Sequence, residues 1–355
     1  SINNTIEGGL GADRMDGGVG SDALTYASST SAVTVNLSAG TASGGAGNDT
    51  FTGFENIIGS SAADSIIGDT ANNTIEGGLG ADRMDGGAGN DALSYASSIS
   101  AVTVNLSLNT VSGGGGNDSF INFENVIGTS AADSILGNSA SNTIEGGLGI
   151  DTMDGGAGSD ALSYAFSSSA VTVNLSLNTV SGGGGNDSFV NFENAIGSSA
   201  ADSILGNTAD NTIEGGVGDD TMDGGDGSDT LSYALATSAI TINLSASTAS
   251  GGAGNDIFTG FENIIGSSVA DSIIGDTAAN SISGGSGDDT IDGGLGADTM
   301  DGGAGVDTLS YTSVTSAVTL NLSLNTVSGG GTGDNFTNFE NVIGSSAGDS
   351  IIGST

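Results

Sequence analysis

The chain has 355 residues with 42 acidic and two basic side chains, and its net charge near −40 excludes phosphate-bearing partners such as nucleic acids and anionic membrane surfaces. Histidine, cysteine, proline and tryptophan are absent, which removes disulfides, thiol nucleophiles, soft-metal ligands and the commonest general base. No apolar run is long enough to predict a membrane span.

The charge also bears on folding, because like charges repel one another in a compact state. Bound divalent cations would remove this obstacle, and about twenty calcium ions would cancel about forty negative charges. The composition therefore favours a chain that folds together with metal, and it offers little for catalysis. We expect no enzyme activity in this segment.

The first recognisable element is a nine-residue unit that begins at Gly8, passes through Asp13 and ends after an apolar Met15. Three glycines in four positions allow a tight turn that exposes backbone carbonyls. The aspartate adds a carboxylate, and carbonyl and carboxylate oxygens are the ligands that calcium prefers. The apolar residue and its small or polar neighbours predict a short strand with one core side chain. Each unit is thus predicted to be a calcium-binding turn followed by a strand.

The complete turn, Gly-Gly-x-Gly-x-Asp, recurs fifteen times, and a sixteenth copy from Gly329 to Asp334 has Thr332 in place of a glycine. Degenerate turns in phase with these also end in aspartate. The aspartates predicted to bind metal are Asp13, Asp22, Asp49, Asp64, Asp82, Asp91, Asp118, Asp133, Asp151, Asp160, Asp187, Asp202, Asp220, Asp229, Asp256, Asp271, Asp289, Asp298, Asp307 and Asp334. The glycines that open the complete turns are Gly8, Gly17, Gly44, Gly77, Gly86, Gly113, Gly146, Gly155, Gly182, Gly215, Gly224, Gly251, Gly284, Gly293 and Gly302.

A longer period organises these units, because the hexapeptide Asn-Thr-Ile-Glu-Gly-Gly returns at a constant spacing, beginning at Asn4, Asn73, Asn142 and Asn211. It predicts one continuous solenoid, residues 1–355, whose repeats span about 4–72, 73–141, 142–210, 211–279 and 280–355. The fifth repeat holds one additional nonapeptide, 284–292, which indicates that the nine-residue unit is half a coil. Because the chain is cut in phase with its repeats, we expect it to be a window on a longer periodic protein.

Within a repeat, apolar residues recur at every ninth position, as at Ile57, Ile66, Ile75, Met84 and Leu93, and predict an inward-facing ladder. In a two-sided roll, successive turns alternate between the two sides, so every second turn stacks on the same side. This alternation places Asp64 over Asp82 and Asn73 over Asp91.

The remainder of each repeat is less regular. Residues 101–107 alternate apolar and polar side chains and predict a half-buried strand. Phenylalanines at two fixed places, such as Phe120 and Phe123, and a recurring tyrosine, such as Tyr95, are predicted to lie in the core.

This nonapeptide resembles the calcium-binding repeat of the repeats-in-toxin (RTX, hemolysin-type) family, and the resemblance covers most of the chain. It implies an all-β fold, a parallel β-roll or β-helix solenoid built from calcium-binding nonapeptide turns. It also implies several calcium ions between stacked turns, each held by glycine carbonyls and by one or two aspartates.

Three functions are consistent with the sequence. The favoured one is an extracellular structural module of a surface layer, adhesin stalk or secreted filament, exported by type I secretion to the bacterial cell surface and folded by calcium. The second is a C-terminal accessory or secretion module of a secreted toxin, protease or lipase. The third is a glycan- or ice-binding solenoid. Partners beyond calcium would be copies of the chain or other surface proteins, joined by calcium bridges, because lysine and arginine are almost absent.

Overall fold

The computed structural model describes residues 2–45, 47–329 and 333–354, and within them the fold is all-β and consists mostly of short parallel strands. The described residues contain no α-helix and a single 3₁₀ turn, Leu322–Leu324. The fold class expected from the nonapeptides is confirmed. Part of the sixteenth turn, including Thr332, lies outside the described residues.

The chain divides into two compact units. The first comprises Ser1–Tyr164 and Thr179–Phe192, and the second comprises Ala165–Asn178 and Glu193–Thr355. Both units draw on residues of the predicted third repeat, so neither follows the repeat boundaries read from the sequence. That the five repeats form one continuous solenoid stays a prediction.

In the first unit the strands form two sheets, here called A and B, which face each other across the core. The strands of sheet A are β1 (Thr5–Ile6), β3 (Ala23–Thr25), β7 (Asn56–Ile58), β9 (Thr74–Glu76), β11 (Ala92–Ser94), β15 (Asn125–Ile127), β17 (Thr143–Glu145) and β19 (Ala161–Ser163). The strands of sheet B are β2 (Arg14–Asp16), β4 (Val33–Asn36), β5 (Thr41–Gly44), β6 (Gly47–Thr52), β8 (Ser65–Ile67), β10 (Arg83–Asp85), β12 (Val102–Asn105), β13 (Thr110–Gly113), β14 (Ser119–Ile121), β16 (Ser134–Leu136), β18 (Thr152–Asp154), β21 (Thr179–Gly182) and β22 (Ser188–Val190).

Most strands are three or four residues long because each nonapeptide supplies one large apolar side chain between two turns. Consecutive strands of the regular coils alternate between the sheets, and every second strand pairs in parallel. Ile57 lies beside Ile75 and Ile75 beside Leu93 in sheet A, while Ile66 lies beside Met84 in sheet B. All five side chains are at most 1% exposed, so the predicted ladder is confirmed.

One coil is widened by a hairpin in the first, second, fourth and fifth repeats. In the second repeat β12 and β13 pair antiparallel, β13 also pairs antiparallel with β14, and β12 pairs in parallel with β16. The predicted strand at residues 101–107 is thus confirmed as part of sheet B. Phe120 and Phe123 fill the core beneath it, with their rings edge to face and centroids 6.0 Å apart.

The second unit repeats this architecture. One sheet contains β23 (Asn194–Ile196), β25 (Thr212–Glu214), β27 (Thr230–Ser232), β31 (Asn263–Ile265), β33 (Ser281–Ser283), β35 (Thr299–Asp301), β37 (Val318–Asn321), β38 (Thr326–Gly329), β39 (Asn335–Thr337) and β41 (Ser350–Ile352). The other contains β20 (Val171–Asn174), β24 (Ser203–Leu205), β26 (Thr221–Asp223), β28 (Ile240–Asn243), β29 (Thr248–Gly251), β30 (Gly254–Thr259), β32 (Ser272–Ile274), β34 (Thr290–Asp292), β36 (Thr308–Ser310) and β40 (Asn341–Ile343).

The additional nonapeptide changes the second unit in a specific way. Hairpin strands β28, β29 and β30 belong to the sheet of β32 and β34, whereas the next hairpin, β37 to β39, belongs to the sheet of β33 and β35. One nonapeptide therefore adds a single strand and moves the next hairpin to the opposite face, as a half-coil must.

Candidate metal centre

The turns stack along both edges of the roll, and a backbone amide of each turn donates to the carboxylate of the next turn in its stack. On one edge Asp64 N–H donates to Asp82 Oδ1 and Asp82 N–H donates to Asp118 Oδ1, both at 2.8 Å. On the other edge Asn73 N–H donates to Asp91 Oδ1 at 2.8 Å. The stacking read from the sequence is confirmed, and every Oδ1 named here already has a partner.

In the degenerate turn that ends at Asp64, both carboxylate oxygens of the aspartate accept hydrogen bonds from the protein. Asp64 Oδ2 accepts the Ser60 amide at 2.6 Å, and Oδ1 accepts the Ser60 hydroxyl at 2.8 Å and the Val33 amide at 2.7 Å. The other serine- or threonine-capped aspartates are Asp133, Asp202 and Asp271. Both oxygens of these carboxylates accept protein hydrogen bonds, so their burial is compensated without a cation, and their role as calcium ligands stays a prediction.

In the hairpin turn, the recurring tyrosine donates a hydrogen bond to the second carboxylate oxygen of the aspartate. Tyr95 is 2% exposed, and its hydroxyl donates to Asp118 Oδ2 at 3.0 Å. Burial and the Asp118 charge raise the pKa of Tyr95 far above its ordinary value, so it remains a proton donor. The equivalent pairs are Tyr26 with Asp49, Tyr164 with Asp187, Tyr233 with Asp256 and Tyr311 with Asp334. The tyrosines lie in the core as predicted, but their hydrogen bond to aspartate was not anticipated.

In ten of the other complete turns the second carboxylate oxygen is buried and has no hydrogen-bond donor. Asp82 is 2% exposed and Asp91 is fully buried, yet Oδ2 of each has no partner. The other aspartates with such an oxygen are Asp13, Asp22, Asp151, Asp220, Asp229, Asp289, Asp298 and Asp307. Buried carboxylate oxygens are almost always hydrogen-bonded, so this pattern points to a ligand that is itself positive.

Burial makes the ionised form of several of these carboxylates unfavourable. It raises the pKa of Asp82 to about 7, and the neighbouring charges of Asp118 and Asp64 add to the effect. The pKa values of Asp151, Asp220 and Asp298 are raised to about 7, and that of Asp289 to about 6, again chiefly by burial. A cation at the free oxygen would reverse this shift because it stabilises the charged form.

The glycines make room beside the free oxygens. A Cβ at Gly86 would lie 2.8 Å from Asp91 Oδ2 and would overlap the carbonyl oxygen of Asn122 in the neighbouring turn. A Cβ at Gly77 would overlap Asp82 Oδ2. The first glycine of a complete turn therefore keeps carbonyl and carboxylate oxygens close together, and this donor set fits calcium. In the hairpin turns, by contrast, a Cβ at Gly113 would strike the carbonyl of Ala101.

Two features of the second edge were missed by sequence reasoning. Asn73 stands where the complete turns have an aspartate, and its side-chain amide donates to the carbonyl of Glu55 at 3.0 Å. Glu124 takes the next position in the stack, where its Oε2 accepts the amide of Asp91 at 2.9 Å and its backbone carbonyl accepts the side-chain amide of Asn142 at 2.7 Å. The available signal for Glu124 was the recurring triplet Phe-Glu-Asn, whose glutamate follows its partner Asp91 by 33 residues, beyond the hairpin turn that lies between them.

The additional nonapeptide brings two complete turns into direct contact. Asp271 N–H donates to Asp289 Oδ1 and Asp289 N–H donates to Asp307 Oδ1, and the amide of Gly287 donates to the carbonyl of Ala304 at 2.8 Å. Within the described residues, no three carboxylates converge as a conventional metal cluster. Backbone carbonyls would therefore have to supply most of the ligands at each complete turn.

A family model for the RTX calcium-binding nonapeptide repeat matches more than half of the chain. The matched segments are residues 3–24, 38–55, 58–93, 108–121, 127–162, 177–190, 196–231, 245–263 and 264–309. No curated protein matches the chain. The part of the chain that the structure describes contains no helix with the length and hydropathy of a membrane span. The chain therefore belongs to the RTX calcium-binding nonapeptide repeat family, whose members bind calcium through multiple copies of this repeat.

Proposed function

We propose that this chain is an extracellular structural module whose coils fold when calcium binds at the complete turns. The observation that carries the proposal is the set of buried aspartate oxygens without a donor, exemplified by Asp82 and Asp91. A chain of net charge near −40 would have to desolvate these carboxylates without compensation if no cation were bound.

The ligands that we propose are the aspartates of the complete turns outside the hairpins, together with carbonyls of their glycines. The aspartates are Asp13, Asp22, Asp82, Asp91, Asp151, Asp160, Asp220, Asp229, Asp289, Asp298 and Asp307. The glycines that open these turns are Gly8, Gly17, Gly77, Gly86, Gly146, Gly155, Gly215, Gly224, Gly284, Gly293 and Gly302. The capped aspartates, such as Asp64 and Asp118, would instead close the coils between metal-binding turns.

The location of the protein and its need for calcium are connected in this proposal. Calcium sites of extracellular modules commonly have dissociation constants of about 10⁻⁴ to 10⁻³ M. At cytosolic calcium concentrations such a chain would remain unfolded, a state suited to export, and it would fold outside the cell. The absence of histidine and cysteine supports a structural role over a catalytic one.

Calcium bridges between chains are the form of self-association that we propose. Exposed apolar side chains recur at the third position of the turns on one edge, as at Leu79 and Leu148, which are 58% and 56% exposed. Lysine and arginine are nearly absent, so charge pairing across acidic faces requires a bound cation.

The test is a calcium titration of the whole chain, from excess chelator to ten millimolar, followed by far-ultraviolet circular dichroism and size exclusion. We expect a cooperative coil-to-strand transition with compaction, and larger species only at the highest calcium concentrations. Magnesium is the matched control, because it demands a smaller octahedral site and is expected to be much less effective. A chain that is already rich in strands in excess chelator at pH 7.5 would contradict the proposal.

A further inference from the structure

The glutamate of the Phe-Glu-Asn triplet takes the same place beside a complete turn in several repeats. Glu124 Oε2 accepts the amide of Asp91 at 2.9 Å, and Glu262 Oε2 accepts the amide of Asp229 at the same distance. The pairs formed by Glu55 with Asp22 and by Glu340 with Asp307 have distances of 2.8 Å. In each pair a single glutamate oxygen serves the backbone, which leaves Oε1 for another partner.

The aspartate of each of these pairs has a carboxylate oxygen without a donor. Asp91 and Asp229 are fully buried, and their Oδ2 atoms have no hydrogen-bond partner. The space above Gly86 is bordered by Asp91 Oδ2 and by the carbonyl oxygen of Asn122, two residues before Glu124. The space above Gly224 is bordered in the same way by Asp229 Oδ2 and the carbonyl of Gly260.

The corner before the glutamate is shaped to present that carbonyl. Asn122 and Gly260 adopt left-handed backbone conformations, with φ angles of 58° and 70°. Asparagine and glycine are the residues that take this conformation at least cost. The corner thus brings a carbonyl oxygen, a glutamate and the free oxygen of an aspartate to one turn.

Negative charge accumulates at this corner. Besides Glu124, the carboxylates of Asp69 and Asp85 lie near the buried carboxylate of Asp91. Among the described residues no lysine or arginine forms an ion pair with these groups. A neutral glutamine at position 124 could accept the same hydrogen bond from the Asp91 amide. The negative charge of Glu124 is therefore not needed for that bond, and without a cation it would only repel Asp91.

We propose that the glutamate of the Phe-Glu-Asn triplet is a calcium ligand, so that each glutamate-capped turn is a calcium site with two carboxylates. The turn of Asp82 lies instead in a stack that includes Asp118, the aspartate bound by Tyr95, and no glutamate accepts its amide. Turns of this kind, here called the tyrosine-capped stacks, have one free carboxylate oxygen. The chain therefore carries two classes of calcium site, of which the glutamate-capped class binds more tightly. This inference rests on the calcium-dependent folding proposed above.

The test replaces Glu55, Glu124, Glu262 and Glu340 with glutamine in the whole chain. Glutamine keeps an oxygen that accepts the backbone amide, and it removes only the charge. With calcium chloride as the probe, isothermal titration should show that the tight class of sites is weakened by about tenfold or more, since affinity follows the number of charged ligands. The sites on the tyrosine-capped stacks should be unchanged.

Single variants provide the matched control. Glu124→Gln should weaken one site and leave folding intact, whereas Glu76→Gln, at a buried glutamate whose Oε1 accepts from the Ser97 amide and hydroxyl, should leave every site unchanged. Unchanged calcium affinity in both Glu124→Gln and the fourfold variant would overturn the inference and leave the glutamate a positioning residue. A wild-type chain that binds no calcium would instead overturn the proposed function.

Discussion

At the scale of the residue, aspartates of the same sequence unit differ in what completes their hydrogen bonds. Ser60 and Val33 complete those of Asp64, and Tyr95 completes those of Asp118, whereas one oxygen of Asp82 is left without a donor. In the function proposed above, a protein donor and a cation are alternative ways to compensate the burial of a carboxylate.

This difference predicts opposite results for two similar substitutions. Asp82→Asn should reduce the number of calcium ions bound, because among the stacked aspartates Asp64, Asp82 and Asp118 it removes the carboxylate with a free oxygen. Asp64→Asn should leave that number unchanged and destabilise the calcium-bound chain, because an amide nitrogen would face a donor. Calcium titration calorimetry combined with thermal unfolding measures both quantities. A loss of calcium binding in Asp64→Asn would contradict this distinction.

The tyrosine makes a second prediction at this scale. Tyr95→Phe removes the hydroxyl that donates to Asp118 Oδ2 and leaves that oxygen buried without a partner. We expect the calcium-bound chain to lose about 1–3 kcal/mol in free energy of unfolding. Denaturant unfolding at saturating calcium measures the loss, and equal stability of the variant and the wild type would show that the hydrogen bond is unimportant.

At the scale of the element, the short strands and their register could be predicted because one apolar side chain per nonapeptide fixes which face is buried. Ile57, Ile66 and Ile75 lie in the core as expected. The hairpin return strand β13 could not be predicted, because its short sequence Thr-Val-Ser-Gly runs directly into a glycine turn and contains one large apolar residue. Which aspartates retain an oxygen without a donor could not be predicted either, because the donors to Asp118 and Asp64 include Tyr95 and Val33, which are distant in the sequence.

Deletion of residues 284–292 tests the half-coil at this scale. The shortened fifth repeat would regain the spacing of the other four, and its hairpin would belong to the same sheet as β28 to β30. Because the deletion removes one complete turn with Asp289, we expect the variant to fold with calcium and to bind fewer ions. Circular dichroism and calorimetry check this, and failure to fold at any calcium concentration would argue against interchangeable half-coils.

At the scale of the whole molecule, the raised aspartate pKa values predict how pH acts on the metal-free chain. Folding raises the pKa of Asp82, Asp151, Asp220 and Asp298 from 3.8 to about 7, so the folded state holds these protons more tightly than the unfolded state. Stability is therefore lost as pH rises from about 4 to about 7, and the loss is complete above pH 7.

We expect the chain in excess chelator to contain more strand at pH 4.5 than at pH 7.5, and calcium to have its largest effect at the higher pH. Protons and calcium would thus act as substitutes at the same oxygens. Far-ultraviolet circular dichroism at the two pH values measures this, with ionic strength held constant as the control. Greater strand content at pH 7.5 in chelator would contradict the prediction.

The nonapeptide that moves the hairpin from one sheet to the other implies a rule of parity for this architecture. Gain or loss of an even number of units leaves each later side chain on its original face, whereas an odd number exchanges the two faces of everything that follows. Insertion of a single unit therefore reverses the faces of all later strands, whereas insertion of a pair of units only lengthens the roll. Lineages that duplicate these units can present a conserved surface on either side of the roll without a single substitution within it.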